Sequence, residues 1–123
     1  MKIIEAINRI DSLKHNTYTQ SDKVAWLSEL DWMAKRQIID THEGADEVTF
    51  TGYDDNTDTQ TELLIPAPYD KAYLLWLEAQ IAYCNEEYEK YNNAMDMFHT
   101  AYDGYRNYYN SNHLPIGKKF KFF

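Results

Sequence analysis

Apolar and aromatic side chains form one helical stripe that keeps its phase from Leu74 to Tyr109. Its members recur at intervals of three or four residues: Leu74, Leu77, Ile81, Cys84, Tyr88, Tyr91, Met95, Phe98, Tyr102, Tyr105 and Tyr109. A repeat that averages 3.5 residues over this distance predicts a helix with one apolar face. A straight helix of that length would measure about 54 Å, whereas a compact domain of this chain length is about 35 Å across. The helix therefore has to bend sharply or reach neighbouring subunits.

The stripe predicts one long C-terminal helix over about 69–111. Its first half is apolar nearly all round, which is typical of a central helix. Asn92 and Asn93 mark the expected place of a bend, since Asn is a poor helix former, but the unbroken phase favours a continuous or gently bent helix. Residues 1–117 are expected to form a single domain, followed by a basic and aromatic tail at 118–123.

Two shorter helices are predicted before the long one. Apolar residues recur at helical spacing over residues 2–13 and again from about residue 20 to residue 42. Thr19 is a typical N-cap of the second helix, with the acid of Asp22 three residues later. Gly44 is expected to end that helix, because glycine readily adopts the left-handed conformation found after helix C-termini.

Residues 45–67 lack helical periodicity. Two apolar triplets in this segment, 48–50 and 63–65, predict a short two-stranded β ribbon around a polar turn. Two strands alone are only marginally stable, so the ribbon would have to lie on the helices. The fold class is therefore mainly α: a small helical bundle with one long C-terminal helix and a short ribbon.

Charge is distributed unevenly along the chain. The formal net charge is −8, and the segment from Asp40 to Glu62 contains eight acids without any Lys or Arg. That segment accounts for the whole excess of acids over bases. After Asp103 the chain contains Lys and Arg but no Asp or Glu. This asymmetry favours charge-steered contact between copies or with a partner. A solvated loop and a solvated tail explain the pattern equally well.

Neither a membrane span nor a secretion signal is expected. The most apolar stretch, residues 72–84, contains Glu78 and is too short to cross a bilayer. The first residues reach Glu5 before any apolar region develops, unlike a signal peptide. We therefore expect a soluble protein made inside the cell.

Motifs for catalysis or metal binding are incomplete. Residues 54–65 begin like a calcium-binding loop, but Thr59 stands where that loop requires Gly and Ile65 where it requires Glu. Cys84 lies on the apolar stripe, where a thiol is expected to be buried and inert. The four His residues lie in separate segments without a shared motif. We therefore expect no enzyme activity, no cofactor and no metal site.

The aromatic residues in the second half of the stripe have two interpretations. Aromatics at helical spacing most often form an ordinary core, but Tyr is also enriched at protein interfaces, where it combines a large area with a polar group. The far end of an over-long helix has little of its own domain to pack against. We therefore favour a subunit interface that includes Tyr91, Phe98, Tyr102, Tyr105 and Tyr109.

The end of the chain alternates bases with phenylalanine. Lys118, Lys119 and Phe120 are candidate partner contacts, because such a segment suits an acidic, aromatic-lined groove. The few bases on an acidic chain argue against nucleic-acid binding. Disorder of the last residues is the alternative.

Several segments together resemble one protein family. They are WLSELD at 26–31 and IIDTH at 38–42, both within 19–44, then TELLIPxPYD at 61–70 and YNNxMxMF at 91–98. This combination is similar to small structural proteins of tailed bacteriophages and prophages, which resemble the head–tail connector (adaptor) proteins. The similarity extends to Gly117 and does not include the lysine–phenylalanine tail.

The resemblance implies a helical subunit of a ring of twelve copies, located under the portal vertex and without catalytic activity. The ring would link the portal protein to the next neck protein and surround the channel through which DNA passes. The expected location is the virion, after synthesis in the host cytoplasm. Exposed acids would not bind passing DNA, so the candidates for a channel-facing or partner-facing loop are Asp54, Asp55 and Asp58.

An acidic inhibitor that mimics DNA and binds a DNA-processing protein is the alternative from another class. Such a protein needs acids spread over a surface at phosphate-like spacing. Here the acids are concentrated in one segment of the chain, which favours the structural subunit.

Overall fold

The computed structural model describes residues 1–116, which fold into four α-helices joined by one short linker, one long irregular loop and one tight turn. The helices are α1 (Ile3–Leu13), α2 (Gln20–Gln37), α3 (Lys71–Cys84) and α4 (Tyr88–Asn112). Two 3₁₀ turns, Ile39–Thr41 and Ala45–Glu47, follow α2. Helix α3 is central and packs against α1, α2 and α4. The prediction of a mainly helical bundle with a long C-terminal helix is confirmed.

Local signals placed the first helix and the start of the second correctly, whereas the prediction that Gly44 ends the second helix is wrong. The Thr19 hydroxyl accepts a hydrogen bond from the backbone N–H of Asp22, and the Asp22 carboxylate accepts one from the N–H of Thr19. This reciprocal pair is the predicted cap of α2. Helix α2 ends at Gln37 rather than near residue 42, and the 3₁₀ turn continues the chain toward Gly44, whose φ of 87° is left-handed as predicted.

The single long helix predicted over 69–111 is wrong in one respect, because the chain folds back between α3 and α4. Tyr83 at the end of α3 lies 5.3 Å from Tyr91, measured between ring centroids. At the other end of the pair, Tyr69 lies 6.2 Å from Tyr105. The two helices therefore form an antiparallel hairpin, in which the rings of Trp76 on α3 and Phe98 on α4 lie 5.1 Å apart.

A Schellman motif without glycine closes this hairpin. The N–H of Glu86 donates to the carbonyl of Tyr83 at 3.0 Å, and the N–H of Glu87 donates to the carbonyl of Ala82 at 2.9 Å. Glu86 takes the left-handed conformation, with φ of 60°. The usual sequence signal for such a helix end is glycine. Because that signal is missing, the sequence indicates at most a bend, at 92–93, where α4 is in fact continuous.

Replacing Glu86 by glycine is expected to raise the free energy of unfolding by about 1 kcal/mol, because glycine adopts the left-handed conformation without steric cost. For a domain of this size the gain corresponds to a rise in Tm of about 4 °C, measured by circular dichroism. The control is Glu86→Ala, which removes the same charge but keeps the Cβ atom. Equal stabilisation by both variants would contradict the argument from backbone conformation.

The β ribbon predicted within 48–65 is wrong, since no strand pairing joins its two halves in the described structure. Residues 61–63 instead pair with residues 1–3, through backbone N–H···O distances of 2.9 and 3.0 Å. The first half of the segment packs on α2, where the rings of Phe50 and Trp32 lie 4.8 Å apart. Each half of the segment contacts residues that are distant in sequence, and these contacts replace the pairing expected in the β ribbon.

Candidate interaction surfaces

Four of the five candidate interface aromatics are buried within the chain itself. Phe98, Tyr102, Tyr105 and Tyr109 are each at most 8% exposed. The hairpin supplies the neighbours that a straight helix would have lacked, and the Phe98 ring lies 5.1 Å from that of Trp76 on α3. These four rings are core side chains, which was the other interpretation of the stripe. Tyr91 is half-buried.

The three candidate acids lie exposed in the loop between α2 and α3. A carboxylate oxygen of Asp54 accepts a hydrogen bond from the N–H of Asn56 at 2.8 Å, and one of Asp58 accepts from the N–H of Gln60 at 2.9 Å. These are Asx turns, which shape the loop locally. Asp55 is exposed beside them. Asp54 and Asp58 thus have a structural role in the turns, and the exposure of all three acids leaves their charge accessible to a partner.

Three further candidates, Lys118, Lys119 and Phe120, lie outside the described residues. The segment that leads to them is fixed at the end of α2: the N–H of Ile116 donates to the carbonyl of Thr41 at 3.0 Å, and the N–H of Glu43 donates to that of Leu114 at 2.8 Å. Leu114 and Ile116 are nevertheless 60% and 55% exposed. The chain therefore enters its tail from a fixed position with two apolar side chains at the surface.

An apolar groove lies where α3 and α4 meet the end of α1. We call it the α3–α4 groove; its volume is about 380 Å³, and it is lined by Leu13, Lys71, Leu74, Leu75, Glu78, Met97, Thr100 and Ala101. Leu13 and Met97 are each 60% exposed. Exposed apolar side chains grouped in this way are typical of a protein contact. The available sequence signal was Met97, an apolar residue that lies off the stripe on the polar side of its helix.

The tip of the hairpin presents a second, aromatic surface. Tyr83 and Tyr88 are each 56% exposed, and their ring centroids lie 6.0 Å apart. Cys84, which was expected to be buried on the stripe, is exposed there. It is the last residue of α3, and the chain reverses direction immediately after it. Its exposure follows from the break that the sequence did not reveal.

A buried acid in α2 was not predicted. Asp31 is fully buried; one carboxylate oxygen accepts the Tyr73 hydroxyl at 2.6 Å, and the other accepts the Tyr53 hydroxyl at 2.5 Å and the N–H of Leu64 at 3.1 Å. Burial raises the pKa of the Asp31 carboxyl, and the three hydrogen bonds offset part of that rise. Burial and the nearby carboxyl also raise the pKa of both tyrosines. The sequence signal was its position one turn after Leu27, on the apolar face of α2.

This network fastens the acidic loop to the helices. The hydroxyl of Tyr73 also accepts the N–H of Ile65 at 2.6 Å, and the N–H of Tyr53 donates to the hydroxyl of Ser28 at 3.0 Å. Both ends of the loop are thereby attached to α2 and α3. A carboxyl without solvent exposure does not reach a substrate, so we assign Asp31 a structural role.

Within residues 1–116, no group of three or more His, Cys, Asp or Glu side chains is arranged to hold a metal ion. In the same part of the chain, no helix combines the length and hydropathy that a membrane span requires. No protein-family model, curated protein or solved structure matches the chain. A functional proposal therefore depends on the residues, their geometry and the resemblance of the sequence motifs.

Proposed function

We propose that the chain is a structural subunit of a tailed-phage or prophage virion, a head–tail connector (adaptor) protein without catalytic activity. It would form a ring between the portal protein and the neck or tail. The observation that carries this proposal is the combination of motifs at 26–31, 38–42, 61–70 and 91–98. The described surface supports it by offering places for protein contact rather than a catalytic group.

Two of these motifs contact each other in the fold. Asp31, the last residue of the first motif, accepts the backbone N–H of Leu64 in the third. Phe98, the last residue of the fourth motif, is fully buried against Trp76. The motifs therefore contain residues that build the bundle.

The available surfaces suit ring assembly. A closed ring of identical subunits uses two different surfaces on each copy, because every head-to-tail contact joins unlike patches. The chain has an apolar groove at α3 and α4 and a separate apolar end at Leu114 and Ile116. The exposed acids of the loop would suit a channel wall, since they repel the phosphates of passing DNA.

The test uses particles produced from cells that carry the gene. Virions are purified by density gradient, cross-linked, and analysed by mass spectrometry for peptides of this chain. We expect the chain in intact particles at a copy number close to that of the portal protein, with cross-links to portal and neck proteins. Absence from purified particles would contradict the proposal. Capture of a DNA-processing enzyme from the lysate would favour the DNA-mimic alternative.

The channel-facing role of the loop has its own test. Replacing Asp54, Asp55 and Asp58 together by asparagine removes their charge and keeps side chains that accept the same turn hydrogen bonds. We expect a lower yield of infectious particles from this variant. The control removes two exposed acids at the tip of the hairpin, through Glu86→Gln and Glu89→Gln. Unchanged infectivity and particle yield in the loop variant would count against the channel placement.

A further inference from the structure

We propose that the lysine–phenylalanine tail, residues 118–123, of one copy docks in the α3–α4 groove of a neighbouring copy. This inference deepens the proposed function, because it supplies the contact between adjacent subunits of the ring. Its basis is the apolar groove, the charge at the groove edge and the position from which the tail leaves the bundle.

The groove and the tail are complementary in apolar character. The floor and walls are formed by Leu74, Leu75, Met97 and Ala101, with Leu13 at one end. Methionine is flexible, and its sulfur makes favourable contacts with aromatic rings. The tail contributes phenylalanine at positions 120, 122 and 123. A groove of about 380 Å³ suits such side chains better than a whole helix.

The outer edge of the groove is acidic and the tail is basic. Asp96 and Asp103 lie four residues before and three residues after Thr100, which lines the groove, so all three share one face of α4. Within residues 1–116, neither acid forms a salt bridge. Lys71 is the opposing charge on the α3 side. Glu78 also lines the groove, but its charge is paired with Lys14 at 3.1 Å. The two acids beside the groove therefore outnumber Lys71, which favours the three lysines of the tail.

The position of the tail makes its own groove a poor fit. On α4, Tyr102 and Arg106 face α2, where both contact Gln37, whereas Met97 and Ala101 face the groove. These two faces are roughly 140° apart around the helix. The tail leaves from the α2 side, because Ile116 is bonded to Thr41 next to α2.

The reach of the tail leads to the same conclusion. A path from Ile116 around α4 to its own groove is about 20 Å, estimated from the helix radius and rise. Seven extended residues span at most about 24 Å. Only the last residue or two would arrive, so the three phenylalanines cannot all occupy the groove of their own chain. A second copy has no such restriction, and a contact between these unlike surfaces closes a ring or propagates a chain.

The experiment measures binding of the tail in trans. A fluorescein-labelled peptide with the sequence of residues 117–123 is titrated with the full chain carrying Phe120→Ser, Phe122→Ser and Phe123→Ser, so that the resident tail does not compete. We expect saturable binding by fluorescence anisotropy. Adding Met97→Asp should weaken binding at least tenfold. Asn110→Asp, which adds the same charge to an exposed position of α4 outside the groove, should leave binding unchanged.

Two further comparisons keep the result interpretable. Leu13→Asp, on a different helix but at the same groove, should weaken binding like Met97→Asp, while circular dichroism spectra of all variants remain those of the parent. Binding that is unaffected by both groove variants would overturn the inference, as would equal binding of a peptide with its phenylalanines replaced by serine. If the chain is absent from virions while the peptide binds, the proposed function is wrong and the docking site remains supported. If the peptide does not bind, the docking site is wrong and the virion assignment is unaffected.

Discussion

Replacing Asp31 by alanine is expected to lower the free energy of unfolding by about 4 kcal/mol. The carboxyl accepts hydrogen bonds from Tyr53, Tyr73 and Leu64 in a fully buried position. Its removal leaves three donors without an acceptor: the fully buried hydroxyl of Tyr73 and the half-buried donors of Tyr53 and Leu64. Each buried donor without an acceptor costs about 1–3 kcal/mol before the site relaxes, and a half-buried donor costs less. The loss is measured by urea unfolding followed by tryptophan fluorescence, and the loop from 49 to 65 should become sensitive to proteolysis.

Asparagine at position 31 is the matched control, because it keeps an acceptor and the same shape. The comparison also has a pH signature. Burial raises the folded-state pKa of the Asp31 carboxyl above its ordinary value of 3.8, which applies to the unfolded chain. At a pH between the unfolded-state pKa and the folded-state pKa, the folded state therefore binds more protons than the unfolded state. Stability from this group therefore falls as pH rises from about 4 through the folded-state pKa. We expect the advantage of the native chain over Asp31→Asn to be larger at pH 4 than at pH 7; the opposite trend would contradict the raised pKa.

Local signals predicted the parts of the fold that depend on neighbouring residues. Thr19 and Asp22 capped α2, and Gly44 took the left-handed conformation, because each of these effects acts within one turn of the chain. The reversal at Glu86 had no such signal. Its left-handed conformation is maintained by packing of α3 on α4, which no short window of sequence contains.

The loop and the surfaces were harder to predict for the same reason. The triplet 63–65 has the pattern of a strand, but its first residue pairs with the N-terminal residues and its next two with the Asp31 network. The α3–α4 groove combines Leu13 with Met97, which are distant in sequence. The aromatic stripe was predicted correctly as a helical face. It was predicted to form a subunit interface, but the hairpin lets most of its α4 residues pack within the chain.

Replacing Phe98 by alanine is expected to lower the free energy of unfolding by about 4 kcal/mol, within the range for a buried Phe→Ala change. The ring is fully buried, with its centroid 5.1 Å from that of Trp76 and 5.4 Å from that of Tyr102. Its loss opens a cavity between α3 and α4 that rigid helices fill only in part. Met97→Ala is the control: the neighbouring side chain is 60% exposed, and we expect a change within about 0.5 kcal/mol.

Protein concentration separates the two interpretations of the aromatic stripe. If Phe98 stabilises the core of its own subunit, the loss of stability is the same at nanomolar and micromolar concentrations of the chain. If the Phe98 side chain stabilised a contact between copies, the stability of the native chain would rise with protein concentration by mass action. The stability lost in Phe98→Ala would then also be larger at the higher concentration. The burial of Phe98 inside one chain predicts the first result. A concentration-dependent loss would instead return the stripe to a subunit interface, with the hairpin opened in the assembly.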